Sequence, residues 1–214
     1  MPQNHLLIFA KAPRYGAAKR RLATNVGHLK ACQIFRNIST RTIKRLCRDT
    51  RWKCSLAVTP DKYARVGRFW PDIANRFTQG NGDLGDRMSR PLRELPPGPI
   101  VMIGSDIPDI TGAHISDAFR ALGTSDFVFG PSLDGGFWLV GIRRRPARII
   151  PFHEVRWSSP TALSDTINNI GPKYRVTFLE ELEDIDDAAA WQRWREQKNQ
   201  VSLLLILLRL GSRT

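Results

Sequence analysis

Short, unbroken apolar runs alternate along the chain with segments in which apolar residues recur at helical spacing. The first run, His5–Ala10, stops at Pro13 and Gly16, and a helical pattern then covers Ala17–Arg48 with a break near Gly27. Apolar runs bounded by turn residues predict buried strands, and the segments between them predict helices that cover the strands. The pattern therefore predicts a single-domain α/β fold, a three-layer αβα arrangement with a mostly parallel, mixed sheet.

The same pattern predicts the remaining elements. The further predicted strands are Lys53–Pro60, Ile73–Gly80 (which an extended loop would also explain), Pro99–Asp106, Asp126–Ser132, Gly136–Ile142 and Tyr174–Leu182. The further predicted helices are Asp61–Trp70, Gly82–Leu95, Gly112–Leu122, Ser159–Ile170 and Asp186–Gln197. Asp83 is predicted to lie at a helix cap, and Pro91 is predicted to bend or end its helix.

The carboxyl-terminal segment differs from the rest. Residues 1–200 are predicted to form the domain, and residues 201–214 an apolar tail in which Val201–Leu210 is nearly continuous apolar sequence. The tail is far shorter than the ~20 residues that a membrane span needs. It is predicted to be a final helix or strand docked on the body or on a neighbouring subunit, with contact to a membrane surface as the alternative.

Charge and cysteine content narrow the class of protein. The chain has a formal net charge of +13, which attracts nucleic acid, anionic membrane or phosphorylated small molecules, although a solvated basic face explains it equally well. The three cysteines, Cys32, Cys47 and Cys54, contain no C-x-x-C pair, and the four histidines are scattered. No zinc site, disulfide framework or secretory signal is predicted, and a reducing cytoplasm is the expected location.

Three loops follow predicted strands and carry unusual chemistry. In sheets of this kind, ligands bind outside the carboxyl ends of the strands. The loops Lys11–Lys19, Gly104–Asp109 and Pro131–Gly136 are therefore expected to meet in space.

The first loop is rich in cations. Lys11, Lys19 and Arg21 surround Gly16 before a helix, an arrangement that suits a phosphate group. The sequence matches neither the Walker A pattern nor G-x-G-x-x-G, and a solvated basic turn remains the alternative.

The second loop carries two carboxylates. Asp106 directly follows a buried strand, and carboxylate oxygens are the ligands that Mg²⁺ and Mn²⁺ prefer, so Asp106 is the predicted metal ligand. Asp109 is the second choice for a catalytic base, although Asp109 and Thr111 also stand where a helix cap or turn is expected.

The third loop places Asp134 before Gly135 and Gly136, and Asp134 is the first choice for a catalytic base. An Asp-Gly hairpin turn would explain the same residues. Paired glycines also allow a ligand to approach the backbone closely.

Three further stretches carry weaker signals. Gly82, Asp83 and Arg87 suit a contact with a base or ribose, with a glycine loop that caps a helix as the alternative. Ser158 or Ser159 is predicted as a helix cap. The acids that precede the last helix are expected to cap it and complement its dipole, and contact of one of them with a metal is the less favoured alternative. These acids are Asp184, Asp186 and Asp187.

Four motifs in order, FAKAPRYGAAKRRL, GNGDLGDRM, GSDIPDIT and GPSLDGGFWLVG, resemble a family of bacterial glycosyltransferases with the GT-A-type, nucleotide-diphospho-sugar transferase fold. The family is of the type associated with arsenosugar or selenodomain gene clusters. It is related in fold to molybdenum-cofactor guanylyltransferase and phospholactate guanylyltransferase. The resemblance covers about Leu6 to Trp194 and leaves out the apolar tail.

The resemblance implies a role for each motif. The residues that it implies around the nucleotide phosphates are Lys11, Gly16, Lys19 and Arg21. It implies a place near the nucleoside for Gly82, Asp83 and Arg87. It also implies that Asp106 binds the metal and that Asp134-Gly135-Gly136 lies on the acceptor side. Two motifs depart from the family. The usual Lys-Thr-Arg-Leu is Lys19-Arg20-Arg21-Leu22, and the usual Asp-Gly-Gly-Tyr ends in Phe137, which leaves the donor and the acceptor open.

The predicted function is that of a transferase that uses Mg²⁺ or Mn²⁺ and a nucleotide-activated donor. Glycosyl transfer from a nucleotide sugar to a small hydroxyl acceptor is favoured. Nucleotidyl transfer to a small phosphorylated substrate, as in a guanylyltransferase, is the alternative. Binding of nucleic acid is disfavoured, because the cations form no recognised nucleic-acid-binding motif and aromatic residues are not interleaved with them. The oligomeric state is left open.

Overall fold

The computed structural model describes residues 3–72, 75–144 and 149–211, with side chains described as far as residue 200. The strands are β1 (His5–Lys11), β2 (Lys53–Thr59), β3 (Asn75–Thr78), β4 (Ile100–Gly104), β5 (Phe127–Pro131), β6 (Phe137–Ile142) and β7 (Val176–Phe178). The helices are α1 (Arg20–Val26), α2 (His28–Cys47), α3 (Lys62–Val66), α4 (Leu84–Glu94), α5 (Gly112–Ala121), α6 (Ala162–Ile170) and α7 (Ala188–Gly211). The first two residues of the predicted strand Ile73–Gly80 lie outside the described residues.

The strands form one seven-stranded sheet in the order β3-β2-β1-β4-β6-β5-β7. Only β6 runs against its neighbours: it pairs antiparallel with both β4 and β5, and the other pairings are parallel. The predicted mostly parallel, mixed sheet is confirmed. Because β1 and β4 are parallel neighbours, the loops that follow them emerge side by side at one edge of the sheet.

Helices cover both faces of the sheet. Alternate residues of β1 point to opposite sides, so Ile8 packs with Ile43 of α2 and Ile115 of α5, and Leu7 packs with Met88 of α4 and Ile170 of α6. A smaller cluster joins α1, α2 and α7 on the α2 side. The predicted three-layer arrangement is therefore confirmed.

Two helix boundaries test the sequence rules. The break near Gly27 is confirmed, since Gly27 separates α1 from α2 with φ at 81°. Pro91 is predicted to bend or end its helix, and α4 does not end there: it continues to Glu94, and the Leu95 N–H donates to the Pro91 carbonyl at 3.1 Å. Pro91 has no N–H for the carbonyl four residues before it, and the helix ends within one turn of it.

The cysteines also require a correction. Cys47 and Cys54 form a disulfide across the loop between α2 and β2, with their Cα atoms 5.1 Å apart, and Cys32 is free. The sequence gives no sign of this pairing, because three cysteines without a C-x-x-C pair indicate no disulfide framework. The turn after α2 brings them together.

The last helix extends past the predicted domain boundary at residue 200. α7 runs without a break from Ala188 to Gly211, so the apolar tail continues the amphipathic helix that precedes it. None of the helices in the described ranges has the combination of length and apolar character needed to cross a membrane.

Candidate active site

Lys19 and Asp106 meet at the carboxyl ends of β1 and β4. The Lys19 Nζ lies 2.8 Å from Asp106 Oδ2, 3.3 Å from Asp184 Oδ2 and 3.5 Å from Asp186 Oδ1. The Lys19 side chain is only 7% exposed, whereas the three carboxylates keep 31–44% of their side-chain surface in contact with solvent. Lys19 also has a left-handed backbone, with φ at 48° and ψ at 57°. Such backbone strain in a residue other than glycine is often found at functional sites.

The electrostatics of this cluster favour cations. Burial alone would lower the pKa of Lys19, but the facing carboxylates of Asp106 and Asp184 raise it above its ordinary value. Burial would raise the pKa of Asp106, yet Lys19 holds it below the usual range. Burial raises the pKa of Asp184, which shares Lys19 with two other acids. One ammonium therefore faces three carboxylates, and an excess of negative charge remains.

A cleft of about 630 Å³ opens beside the cluster. It is lined by Lys11, Lys19, Arg20, Arg21, Asp134, Ser158, Ser159, Asp184 and Asp186. A neighbouring cavity of about 220 Å³ is lined by Asp106 and by four residues that also line the cleft, namely Asp134, Ser158, Ser159 and Asp184. The loops after β1 and β4 and the turn before β6 thus meet in space, as the sequence predicts.

Asp134 is held by its own turn. Its Oδ1 accepts hydrogen bonds from Ser132 Oγ at 2.7 Å and from the Gly136 N–H at 3.0 Å. Gly135 has φ at +81°, and a Cβ added there would lie 2.2 Å from the Pro160 carbonyl oxygen. The absence of a side chain at Gly135 therefore lets the turn pack against the loop that carries Ser158 and Ser159. The predicted close approach at the paired glycines is made by protein backbone.

Of the remaining predicted residues of the first loop, Lys11 and Arg21 line the same cleft and Gly16 does not. Lys11 is exposed at the end of β1, and Gly16 has φ at +70° with open space where a side chain would project. Arg21 is 82% exposed and its Nη1 lies 3.4 Å from Asp186 Oδ2. Because α1 has only seven residues, a phosphate here would be held by side chains more than by a helix terminus. The phosphate-binding role of these residues stays a prediction.

Gly82, Asp83 and Arg87 form the start of α4. Asp83 Oδ1 accepts from the Asp86 N–H at 2.8 Å, and the Asp83 N–H donates to Asp86 Oδ2 at 3.2 Å, which is a capping box. The Arg87 Nε donates to the Gly82 carbonyl at 3.0 Å. The capping alternative is thus present, and a nucleoside role is untested. Leu84 lines the smaller cavity beside Asp106, so the amino end of α4 reaches the site.

The structure puts Asp109 in a different groove. Its Oδ1 lies 2.5 Å from Lys198 Nζ, and it lines a space of about 660 Å³ between α2 and α7. The cap of α5 is Thr111, whose Oγ1 accepts from the His114 N–H at 3.4 Å. Of the two predicted bases, only Asp134 lines the cleft that contains Lys19.

Asp184 and Asp186 lie in the site, although the sequence favours a helix-capping role for them. Of the three acids before α7, only Asp187 caps the helix, through a hydrogen bond of 2.8 Å from the Ala190 N–H. Leu182 forms a bridge with Ser132, and the chain then carries Asp184 and Asp186 to Lys19. The expectation that these two residues cap the helix is therefore wrong, and their role toward its dipole stays a prediction. The run of acids after the last strand is the sequence signal for these two residues. Their position depends on the bridge between that segment and the β5–β6 turn, which is a tertiary contact that the sequence does not reveal.

The donor set suits a divalent cation that arrives with its ligand. No group of three or more His, Cys, Asp or Glu side chains within the described ranges forms a ready metal site. Asp106 and Asp184, however, line one cavity. Two carboxylates supplemented by substrate phosphates are what Mg²⁺ usually takes, so these residues fit the metal that the sequence analysis predicts.

Comparison with solved structures gives a consistent fold. A protein from Desulfovibrio desulfuricans G20, provisionally assigned as a nucleotide-diphospho-sugar transferase, is 25% identical with a TM-score of 0.74; the match covers 87% of this chain and 84% of that one. CMP:2-keto-3-deoxy-manno-octonic acid synthetase complexed with CTP is 10% identical with a TM-score of 0.59, over 92% and 99% of the two chains. Rv0371C from Mycobacterium tuberculosis H37Rv, solved with manganese, is 14% identical with a TM-score of 0.52, over 89% and 97%.

Sequence comparison gives the family. No curated protein sequence matches the chain. A family profile described as "uncharacterized protein conserved in bacteria (DUF2064)" matches residues 42–159, which is more than half of the chain. The matched segment contains Asp106 and Asp134 but not Lys19. The chain belongs to the DUF2064 family and has the nucleotide-diphospho-sugar transferase-like fold.

Proposed function

We propose that the protein is a metal-dependent transferase that uses a nucleotide-activated donor. One observation carries the proposal: Lys19 contacts Asp106, Asp184 and Asp186 at the carboxyl ends of β1 and β4, on a cleft that Asp134 also lines. One cleft thus brings together cations that suit a diphosphate, carboxylates that suit a metal ion and an acid that suits proton transfer. The resemblance in sequence and the fold of the transferases support the same class.

The donor diphosphate binds among Lys11, Lys19 and Arg21. Two of these cations are exposed toward the cleft, and Lys19 is held charged by its carboxylates. Fixed cations placed where negative charge develops on a leaving group stabilise the transition state without reorganising. The nucleoside lies toward the amino end of α4, where Gly82, Asp83 and Arg87 form the turn.

Asp106 holds the divalent ion, Mg²⁺ or Mn²⁺, with Asp184 as the second ligand. When bound, such an ion neutralises phosphate oxygens and makes the diphosphate a better leaving group. The manganese complex of Rv0371C supports this choice, because that protein has the same fold. Asp106 suits the role because its lowered pKa keeps it ionised.

Asp134 accepts the proton of the attacking hydroxyl. Its Oδ1 is occupied by the two hydrogen bonds of the turn, and Oδ2 accepts none from the residues that the structure describes. In glycosyl transfer, the acceptor oxygen bonds to the anomeric carbon as its proton passes to Asp134. The bond between that carbon and the diphosphate oxygen breaks, and its electron pair stays on the diphosphate. We propose this reaction, with a small hydroxyl compound as acceptor.

Nucleotidyl transfer is the second candidate. In that reaction the acceptor, such as a small phosphorylated compound, attacks the α-phosphorus of a nucleoside triphosphate, and pyrophosphate leaves. CMP:2-keto-3-deoxy-manno-octonic acid synthetase shares the fold and was solved with CTP, which supports nucleotidyl transfer as the second candidate. The arsenosugar or selenodomain association and the cytoplasmic location stay predictions.

A ligand screen followed by product analysis tests the proposal. We expect Mn²⁺ together with a nucleotide sugar or a nucleoside triphosphate to raise the melting temperature, and neither component alone to do so fully. Labelled donors then identify the reaction: release of nucleoside diphosphate marks glycosyl transfer, and release of pyrophosphate marks nucleotidyl transfer. Absence of any metal-dependent shift with either donor class would overturn the proposal.

A further inference from the structure

Helix α2 has a strongly basic exposed face that the proposed function does not use. The helix contains no Asp or Glu, and it carries the exposed cations Lys30, Arg36, Arg41, Lys44 and Arg45. Two grooves of about 660 and 760 Å³ run along it, and both have these cations in their walls. This face accounts for five of the positive charges on a chain whose formal net charge is +13.

Most of these cations lack partners within the protein. Lys30, Arg36, Arg41 and Lys44 form no hydrogen bond or ion pair with any residue that the structure describes. Exposed arginines elsewhere do form them: Arg120 pairs with Asp117, and Arg156 pairs with Asp165. The unpaired cations repel one another, so an anionic surface that covers this face lowers the electrostatic free energy.

Helix α7 packs against α2 beside this face, and its last residues have an apolar sequence. Trp191 and Trp194 of α7 pack with Ile34 and Ile38 of α2, and Lys198 lies in the same groove as the carboxyl-terminal half of α2. The helix then continues to Gly211, and only Ser202 and Arg209 interrupt the apolar sequence from Val201 to Leu210. At the rise of an α-helix, the fourteen residues from Lys198 to Gly211 extend ~20 Å.

We infer that the basic face of α2 and the segment Val201–Leu210 together bind the surface of an anionic phospholipid bilayer. The cations attract the headgroups, and the apolar segment enters the boundary between headgroups and acyl chains. Stable attachment to a membrane surface takes two such signals, and the chain holds them side by side. Nucleic acid would engage the cations but gives the apolar segment nothing to bind. A second copy of the chain would bring like charges together. The inference is independent of the proposed transferase reaction.

Vesicle flotation with the full chain tests the inference. We expect the protein to float with vesicles that contain phosphatidylglycerol and not with pure phosphatidylcholine, and its partition coefficient to fall about tenfold or more in 0.5 M salt. Equal binding to both vesicle types, or no binding to either, overturns the inference. So does tight binding of RNA or DNA in the absence of vesicle binding.

Matched variants separate the two signals. The substitutions Arg36→Gln, Arg41→Gln and Lys44→Gln together are expected to reduce partitioning at least about tenfold, since each cation near the surface contributes severalfold. A control variant removes the same number of charges from the other helical layer and its edge, by Arg93→Gln, Lys173→Gln and Arg175→Gln. Its partitioning should change about twofold at most. Leu205→Asn with Leu208→Asn should weaken binding without altering the salt dependence. If the control triple loses as much as the α2 triple, or if the tail variant binds normally, the composite surface is refuted. Melting curves verify that each variant is folded.

Discussion

The ammonium of Lys19 lies 2.8 Å from the carboxylate of Asp106, although 87 residues separate them along the chain. Two parallel neighbouring strands, β1 and β4, deliver these residues to one edge of the sheet, and two more acids approach the same nitrogen. This contact joins the cationic loop to the acidic loop, and the predictions that follow depend on it.

Replacing Lys19 tests its phosphate role. Lys19→Met is expected to weaken binding of a nucleoside diphosphate far more than binding of the free nucleoside, because only the former carries the charge that Lys19 meets. It should also lower the free energy of unfolding by about 2 kcal/mol, less than for a fully buried pair because the carboxylates are partly exposed. Isothermal titration and chemical denaturation measure both effects, with exposed Lys30→Met as the control. Equal losses for nucleoside and diphosphate would contradict the phosphate role.

Replacing Asp106 tests the metal assignment. Asp106→Ala should abolish the Mn²⁺-dependent part of nucleotide binding, because it removes the carboxylate proposed to hold the ion. Asp117→Ala removes an exposed acid whose ion pair is with Arg120, and it should leave that binding unchanged. The measurement is nucleotide affinity with and without Mn²⁺. Undiminished Mn²⁺ dependence in the Asp106 variant would show that the ion binds elsewhere.

The two predicted bases can be separated by kinetics. Asp134→Asn is expected to lower kcat about 100-fold or more with little change in the donor KM, since a base contributes to the chemical step. Asp109→Asn should change kcat about twofold at most, because Asp109 faces Lys198 in the other groove. Steady-state rates of both variants show which of the two residues acts as the base. The reverse ranking would move the base to Asp109.

Gly135 offers a test of the turn that carries Asp134. Gly135→Ala places a methyl group 2.2 Å from the Pro160 carbonyl oxygen at a left-handed φ, and we expect a loss of at least about 3 kcal/mol in unfolding free energy. Gly171 has a similar φ of +76°, with ψ at 167°, but no atom lies within 4 Å of its Cβ position, so Gly171→Ala should cost less than Gly135→Ala, about 1–3 kcal/mol from backbone strain alone. Denaturation curves compare them. Similar losses would mean that the contact with Pro160 is not close.

The pKa shifts of Asp106 and Asp184 predict opposite effects of pH on the free energy of unfolding. The pKa of Asp106 is lowered in the folded protein, so its contribution is present above the ordinary value of 3.8 and is lost as the pH falls below it. The pKa of Asp184 is raised, so ionising it opposes folding as the pH rises through and above 3.8. Asp106→Asn should therefore flatten the acid limb of the stability curve, and Asp184→Asn should steepen it. Parallel changes in the two curves would contradict the assignment.

Much of the fold follows from local pattern. Continuous apolar strands, the break at Gly27 and the cap at Asp83 each depend on neighbours within a few residues, and sequence rules read such signals well. The meeting of Lys19 and Asp106 was also predictable, because loops after parallel strands share one edge of the sheet.

The rest depends on tertiary pairing. Asp184 reaches Lys19 only because Leu182 bridges to Ser132, and Cys47 meets Cys54 only because the loop after α2 turns back. Asp109 stands three residues from Asp106, yet its partner is Lys198, 89 positions further along the chain. Spacing along the chain does not encode these relationships.

The reversed direction of β6 has a consequence for how the cleft can change shape. A tight turn between adjacent strands anchors Asp134 on both sides, whereas Asp184 lies on an irregular segment between a single bridge at Leu182 and the start of α7. One wall of the cleft is thus a tight turn. Another wall is an irregular segment that is held by the buried Ile185 side chain and by the ion pairs of Asp184 and Asp186 with Lys19. A phosphate group that displaced these ion pairs would release the carboxylates of the acidic segment and leave the geometry around the proton acceptor unchanged.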